Sequence, residues 1–368
     1  MVRLTRAQQQ ARTRASVLAA ARQEFIEQGY ALAKIDRIAE RAEMTRGAVY
    51  SNFPGKQALY LAVLVEMVEQ TGTAGPVEPP RSLGGALGAF ARAWLERLPL
   101  VDDTASGGRL QLRSLVGVVD DERGRAALAE IARLEALLLA MALETCEPEG
   151  AAPRRVRLAE LVLTLLGGSG LLAEMAPGFG DPFDRARACE HLAGLDLADT
   201  WAPPHLPYVG PAHPCRDPWA PPTGPADLIT GDPVDLGADG TVTVLGAQRL
   251  AAAEEAVRSA RPGDQVTVAV ATGGPAETGD LVRLRVRDLT ACLRRVFPPG
   301  AWGNVRLVVD DGAVAAAAIG VPGADGETEA AVRVQSGTIV ARASGRGAAH
   351  AAAAATAGHG APPRRSAP

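Results

Sequence analysis

Residues 30–60 read Tyr-Ala-Leu-Ala-Lys-Ile-Asp-Arg-Ile-Ala-Glu-Arg-Ala-Glu-Met-Thr-Arg-Gly-Ala-Val-Tyr-Ser-Asn-Phe-Pro-Gly-Lys-Gln-Ala-Leu-Tyr. Ile35, Ile38 and Ala39 share one apolar face of a short helix over Asp36–Ala42. Glu43-Met44 forms a tight link, and Thr45 opens a second helix, Thr45–Phe53, with a hydroxyl suited to cap its first free amides. Two short helices at this spacing are the pattern of a helix-turn-helix, whose second helix lies in the major groove of DNA.

Working outward, Ala7–Gln28 carries Val17, Leu18, Ala21, Phe25 and Ile26 at helical spacing, and Gly29 ends that helix. A further helix starts at Lys56, after Pro54-Gly55. The chain has 368 residues, a 47% hydrophobic content and a net charge of −4. That size predicts two or three domains with real cores, and the acidic balance excludes blanket nucleic-acid coating. Basic residues are local instead: Arg3, Arg6, Arg12 and Arg14 at the start, then Lys34, Arg37, Arg41, Arg46 and Lys56 around the motif, as a docking face requires. The opposing reading, a solvated charge run, does not explain why these residues bracket the two short helices.

Residues 81–199 are helical in pattern, over Ser82–Leu98, Arg109–Val119, Glu122–Cys146, Arg154–Met175 and Pro182–Asp199. Leu158–Leu172 is apolar nearly all round, which predicts deep burial or a subunit interface. We place dimerisation on Arg154–Met175 with Asp184–Leu197, through Leu158, Leu161, Leu165, Leu172 and Leu195. The apolar run holds Glu160 and reads as too short to span a bilayer. With no signal-type apolar stretch at the N-terminus, the expected location is cytoplasmic and off the membrane. Residues 201–226 are dense in proline and read as an extended linker.

Beyond residue 226 the period changes. Thr241–Leu245, Gln265–Ala271, Val305–Val309, Ala330–Gln335 and Gly337–Ala343 read as strands, with helices at Gln248–Ala260, Arg283–Arg295, Ala313–Ile319 and Gly347–Ala355 between and after them. Ser336-Gly337 is a hairpin signal. This alternation predicts an α/β layer fold with a mixed sheet over 227–355, and a disordered tail at 356–368.

The run Phe25-x-x-x-Gly29-Tyr30, then Ile38-Ala39, then Thr45-Arg46-Gly47-Ala48-Val49-Tyr50-Ser51-Asn52-Phe53-Pro54-Gly55-Lys56-Gln57-Ala58-Leu59 resembles the TetR family of bacterial transcriptional regulators. The resemblance implies an all-helical homodimer: a DNA-binding domain over 1–70 and a ligand-binding and dimerisation body over 81–200. Two positions depart from it. Ala33 and Lys34 stand where the family carries a Thr or Ser pair, and Glu43 stands at the turn position usually held by Gly. The C-terminal stretch Val305–Asp310, Ala313–Ala318, Gly320-Val321 and Ala331–Arg342 resembles a thioredoxin- or peroxiredoxin-like domain. There Gly246-Ala247-Gln248-Arg249 stands in place of the family's nucleophilic cysteine.

The candidate DNA-contacting residues are Lys34, Thr45, Arg46, Gly47, Ala48, Tyr50, Ser51, Asn52 and Lys56. Arg46 can reach a guanine edge or a phosphate. Gly47 and Ala48 are small enough for close approach. Tyr50, Ser51 and Asn52 can hydrogen-bond backbone or base. Lys34 and Lys56 are phosphate clamps. For Tyr50 the competing reading is a half-buried packing aromatic, and for Lys34 a plain surface lysine. Phe90, Trp94, Leu112, Leu115 and Met141 can line an effector pocket, and serve equally as core. Cys146, Cys189, Cys215 and Cys292 form no C-x-x-C pair, and His205, His213 and Cys215 lack a fourth ligand, so no metal, cofactor or catalytic site is expected. The function these features point to is a ligand-responsive regulator, a repressor on a palindromic operator, with double-stranded DNA, a small-molecule effector and a second copy as partners. The other class is an enzymatic or redox-active C-terminal domain fused to a DNA-binding half.

Overall fold

The structure is a computed structural model that describes residues 5–70, 78–99, 105–147, 153–204, 209–273 and 276–355. Arg3, His205 and the tail after 355 lie outside the described residues. The chain divides into two units: Met1–Thr200 with Pro275–Trp302, and Trp201–Gly274 with Gly303–Pro368.

The first unit is helical. α1 (Arg6–Leu32) begins at a reciprocal cap between Thr5 and Gln8 and breaks its helical geometry at Gly29, φ 69°. α2 (Ile35–Arg41), α3 (Arg46–Asn52) and α4 (Lys56–Glu69) follow. The body contains α5 (Leu83–Leu95), α6 (Ala105–Gln111), α7 (Glu122–Glu144), α8 (Val156–Met175) and α9 (Pro182–His191). Here the expected boundaries need correction. α6 lies earlier than Arg109–Val119 and stops before Arg113, whose φ of 54° is incompatible with a continuing helix. α9 ends at His191 in a 3-10 turn, Leu192–Gly194, instead of reaching Asp199. Asp199 instead pairs with Arg154 and accepts from the Arg157 amide at 2.7 Å, capping the α8 N-terminus.

α8 is long and apolar enough to cross a membrane by length and composition, where the sequence pattern suggests that it is too short. Its C-terminal part is nonetheless tied into the body. Glu174 accepts from Ser114 Oγ at 2.6 Å and pairs with Arg109 at 2.6 Å.

The largest departure from expectation concerns residues 275–302. The sequence pattern places the helix at Arg283–Arg295 within a continuous 227–355 domain. It is α11 (Ala276–Leu293), and it belongs to the helical unit, packing on α4, α5 and α7. A 3-10 turn at Pro299–Trp302 packs on α7 as well, with Trp302 fully buried and its indole N–H donating to Leu138 O at 3.0 Å.

The second unit holds a six-stranded mixed sheet in the order β1-β6-β5-β2-β3-β4. β2 (Gly240–Gly246), β3 (Gln265–Ala271) and β4 (Val305–Val309) are parallel. β5 (Glu329–Gln335) runs antiparallel to β2 and to β6 (Thr338–Ser344). β1 (His213–Pro218) pairs antiparallel with β6, so part of the expected 201–226 linker is an edge strand. Val242, Val244, Ala269, Val332, Val334 and Ile339 form the core of one sheet face with Trp219. Helices α10 (Ala253–Ser259), α12 (Val314–Ala318) and α13 (Ala348–Ala354) complete the unit. The buried Arg333 is held by Asp264 at 2.8 Å and Ala353 O at 3.1 Å, which ties the end of α13 to β5.

Candidate nucleic-acid interface

The three N-terminal helices close on a core of Phe25, Ile38, Val49 and Phe53, all nearly fully buried. Val49 on α3 and Phe53, its extended C-cap residue, are both buried, which turns the other α3 residues outward. Met44 N donates to Ala39 O at 2.9 Å and closes the turn, with Glu43 left-handed at φ 54°. Thr45 caps α3: its hydroxyl accepts from Ala48 N at 3.2 Å.

Lys34, Thr45, Arg46, Gly47, Tyr50 and Ser51 are exposed, and Ala48, Asn52 and Lys56 are half-buried. The face is therefore continuous along α3. Arg46 is partnered within the fold, 3.3 Å from Asp36 and with its guanidinium 5.4 Å from the Tyr50 ring centre. Ser51 Oγ and Asn52 Nδ2 each donate to Ala48 O at 2.8 Å. These are local bonds of the kind that a DNA acceptor can replace.

Lys56 has a different environment from the one its sequence position suggests. Its ammonium donates to Ala31 O at 3.1 Å and Ala33 O at 3.2 Å and sits 4.7 Å from the Tyr30 ring centre. Burial pushes its pKa down. Two of its three donors thus hold the corner between α1 and α2. Lys34 precedes α2 as its cap residue with no side-chain capping bond; its amide donates to the buried Glu24 carboxylate at 3.4 Å. Arg41 pairs with Glu24 at 3.2 Å and with Glu27, fixing α2 on α1.

Arg14 and Arg6, expected only as part of a basic N-terminal run, have specific places on α1. Arg14 lies over the Phe53 ring at 4.3 Å and donates to Asn52 O at 3.4 Å, which positions the end of α3. Arg6, Gln9, Gln10 and Thr13 line a shallow cleft with Ser51 and Asn52. Their spacing along α1 puts them on one helix face, a signal the sequence carried.

The expected effector-pocket residues are scattered through the body. Phe90 and Trp94 are buried on α5 with ring centres 6.1 Å apart, and Arg97 stacks on Trp94 at 3.5 Å. Leu112, Leu115 and Met141 are half-buried. Of the expected dimer residues, Leu158 is buried within its own chain, which removes it from an outer face. Leu161, Leu172 and Leu195 are exposed and Leu165 is half-buried. Among the described residues no group of three or more His, Cys, Asp or Glu is arranged to hold a metal ion.

Residues 17–63 match the model of bacterial regulatory proteins, tetR family. The N-terminal segment is thus similar to that of TetR-family regulators. The matched segment begins within α1 and ends within α4, so it spans the whole of α2 and α3. Similar solved structures include a transcriptional regulator from Streptomyces coelicolor, 23% identical over 49% of this chain and 96% of that one, TM-score 0.29. They also include the regulator FadR from Bacillus subtilis in complex with stearoyl-CoA, 16% identical over 49% and 96%, TM-score 0.33. A third is a TetR-family regulator from Mesorhizobium loti, 18% identical over 52% and 96%, TM-score 0.26. No curated protein matches the chain.

Proposed function

We propose that the chain is an effector-responsive transcriptional regulator that binds a palindromic operator as a homodimer and represses there. The observation that carries this reading is the α3 face. A capped helix N-terminus presents Arg46, Gly47, Tyr50 and Ser51 outward, while Val49 and Phe53 anchor the helix from behind. Free amides at a helix start favour phosphate, and the small Gly47 allows close approach to the groove. Working on DNA places the protein inside the cell.

A dimer would use the outer face of α8 and α9, where Leu161, Leu171, Leu172, Met175, Phe179 and Phe183 are exposed. So much apolar surface on neighbouring elements marks an association site. Two such subunits set recognition helices about one DNA turn apart. An effector then releases DNA by favouring a spacing that does not fit.

The α/β unit is read as a redoxin-like module without redox chemistry. Its parallel β2–β4 followed by antiparallel β5 and β6 supports the fold assignment. The inactivity rests on Gly246–Arg249, which holds no thiol. A side chain at Gly246 would also collide with the backbone of Asp325 and Gly326, within 2.4 Å, so the crevice at the end of β2 is filled by the chain itself. Cys292 belongs to the helical unit, and burial pushes its thiol up to about 11, the opposite of a reactive thiolate.

The test is selection of a duplex from a random pool, followed by titration. Arg46→Ala should weaken binding to the selected duplex by about tenfold or more. The slope of log affinity against log salt should shrink by about 1 for each phosphate that the variant no longer neutralises. Enrichment of no duplex, or unchanged affinity in Arg46→Ala, would remove α3 from the interface.

A further inference from the structure

The interior of the helical body is occupied by a segment from the distant end of the chain. Leu281, Val282, Leu284, Val286, Leu289 and Leu293 on α11 are buried, and Phe297 and Trp302 follow them into the core. Cys292 Sγ lies 3.8 Å from Ala93 O on α5. Polar groups register the segment against each neighbour. Asp288 accepts from Arg97 and lies 3.0 Å from Arg113 Nε. Arg285 donates to Glu135 on α7 at 2.6 Å, Arg287 pairs with Glu69 at the end of α4, and Arg295 pairs with Glu96 at 2.5 Å. Burial pushes the Glu135 carboxyl up, and the Arg285 charge beside it opposes that shift.

This network is specific. Losing one partner of these pairs while the other stays buried, as at Glu135–Arg285 or at Asp288 with Arg97 and Arg113, is far costlier than breaking a surface pair. The segment is also connected at both ends to the sheet. β3 ends at Ala271, α11 begins at Ala276, the 3-10 turn ends at Trp302 and β4 begins at Val305. The connection to β4, Gly303-Asn304, is two residues long, too short to act as a slack linker. On the other side, α4 is joined to α3 by Phe53-Pro54-Gly55 alone.

We propose that residues 276–302 are an effector segment built into the chain: they fill the helical body in place of a diffusible ligand, and through them the state of the α/β unit sets the position of α4 and hence of the recognition helix. The proposal rests on the regulator reading above and locates its input. The effector acts on the α/β unit, and α11 carries the change inward. A signal of this kind needs a differential interaction with two states, which a registered buried charge network supplies because it fits one arrangement and not a displaced one.

Hydrogen exchange on the full chain tests it. Ala352→Gly in α13, a helix packed on β5, β6, β2 and α10, loosens the sheet unit by about the helix cost of a glycine. The expected result is faster exchange, by about tenfold, in α11 and in α4 as well as in the sheet. Asp288→Asn should speed exchange in the same two helices from the other side. Arg295→Ala, at an exposed pair, serves if the Asp288 variant fails to fold, with the same expectation in α11 and α4. Faster exchange confined to the sheet in Ala352→Gly, with α11 and α4 unchanged, overturns the proposal. This readout needs no DNA, so its failure is distinct from failure to select a duplex, which would sink the regulator reading alone.

Discussion

Glu43 occupies the turn between α2 and α3 with φ 54°, the left-handed region that glycine enters freely and other residues enter at a cost. The sequence already carries this tension, because a turn of this length needs that geometry at that position. Glu43→Gly should therefore stabilise the helical unit by about 1 kcal/mol, read as a raised melting temperature with DNA binding retained. An unchanged or lowered midpoint would mean that Glu43 makes a compensating interaction. Thr45 is legible in the same way, since a cap is a local device. Lys56 is not, because the carbonyls it binds, Ala31 O and Ala33 O, come near it only when the α1–α2 corner folds. A second residue offers a pH-dependent test. Burial, and then the Glu329 charge, push the Glu255 carboxyl up, and its Oε2 is buried with no hydrogen-bond partner. A carboxyl raised in the folded state favours folding when protonated. That stability is full below its unfolded pKa and is lost as pH rises through the folded one. Glu255→Gln should accordingly gain stability relative to wild type as pH climbs from about 4.5 towards neutrality, and gain little below that. Thermal melts across that range check it, and a difference independent of pH would contradict it.

At the scale of elements, most helices and all strands from β2 to β6 announce themselves by period. What each one packs against does not follow from period. α11 reads as an amphipathic helix between two strands, which ordinarily means a crossover helix covering its own sheet. Its partners are instead set by Asp288, Arg285 and Arg287, charged residues whose mates Arg97, Glu135 and Glu69 lie far back in the sequence. β1 is hidden for another reason. Pro214 and Pro218 suit an extended linker, and they suit an edge strand as well, where missing N–H groups face no partner. The opposite edge is also protected. Asp227 accepts from Leu307 N at 2.9 Å, and Leu228 N donates to Leu307 O at 2.8 Å, so a loop covers β4. The association face proposed above is the exposed apolar side chains of α8 and α9. Leu161→Arg on that face should give a monomer that keeps its helix content, because Leu161 is 37% exposed in the single chain and the charge is buried only on association. Light scattering at micromolar concentration reads the mass. A wild-type chain that is already monomeric would refute the interface.

For the whole molecule, the order of the chain and the order of its packing disagree, and folding must reconcile them. Asp288 meets Arg97 across 191 residues of sequence, and Cys292 meets Ala93 across 199. Closing such distances costs chain entropy before any interaction repays it, which slows folding and joins the fate of separate regions. The helical unit lacks part of its core until residues 276–302 arrive. Those residues are flanked by β3 and β4, whose parallel pairing forms only with the sheet. The helical unit is thus built from two stretches of chain separated by strands of the other unit, unlike a tandem fusion of two domains joined once. A chain with Trp94, Trp201 and Trp219 replaced by phenylalanine keeps Trp302 as its sole tryptophan reporter, seated in the helical unit but adjoining β4 in sequence. In urea, its fluorescence should change in the same transition as the far-ultraviolet circular dichroism, which reports helices and sheet together. Two separated transitions, with Trp302 reporting only one of them, would show that the units unfold independently and that the shared segment does not bind them into one cooperative whole.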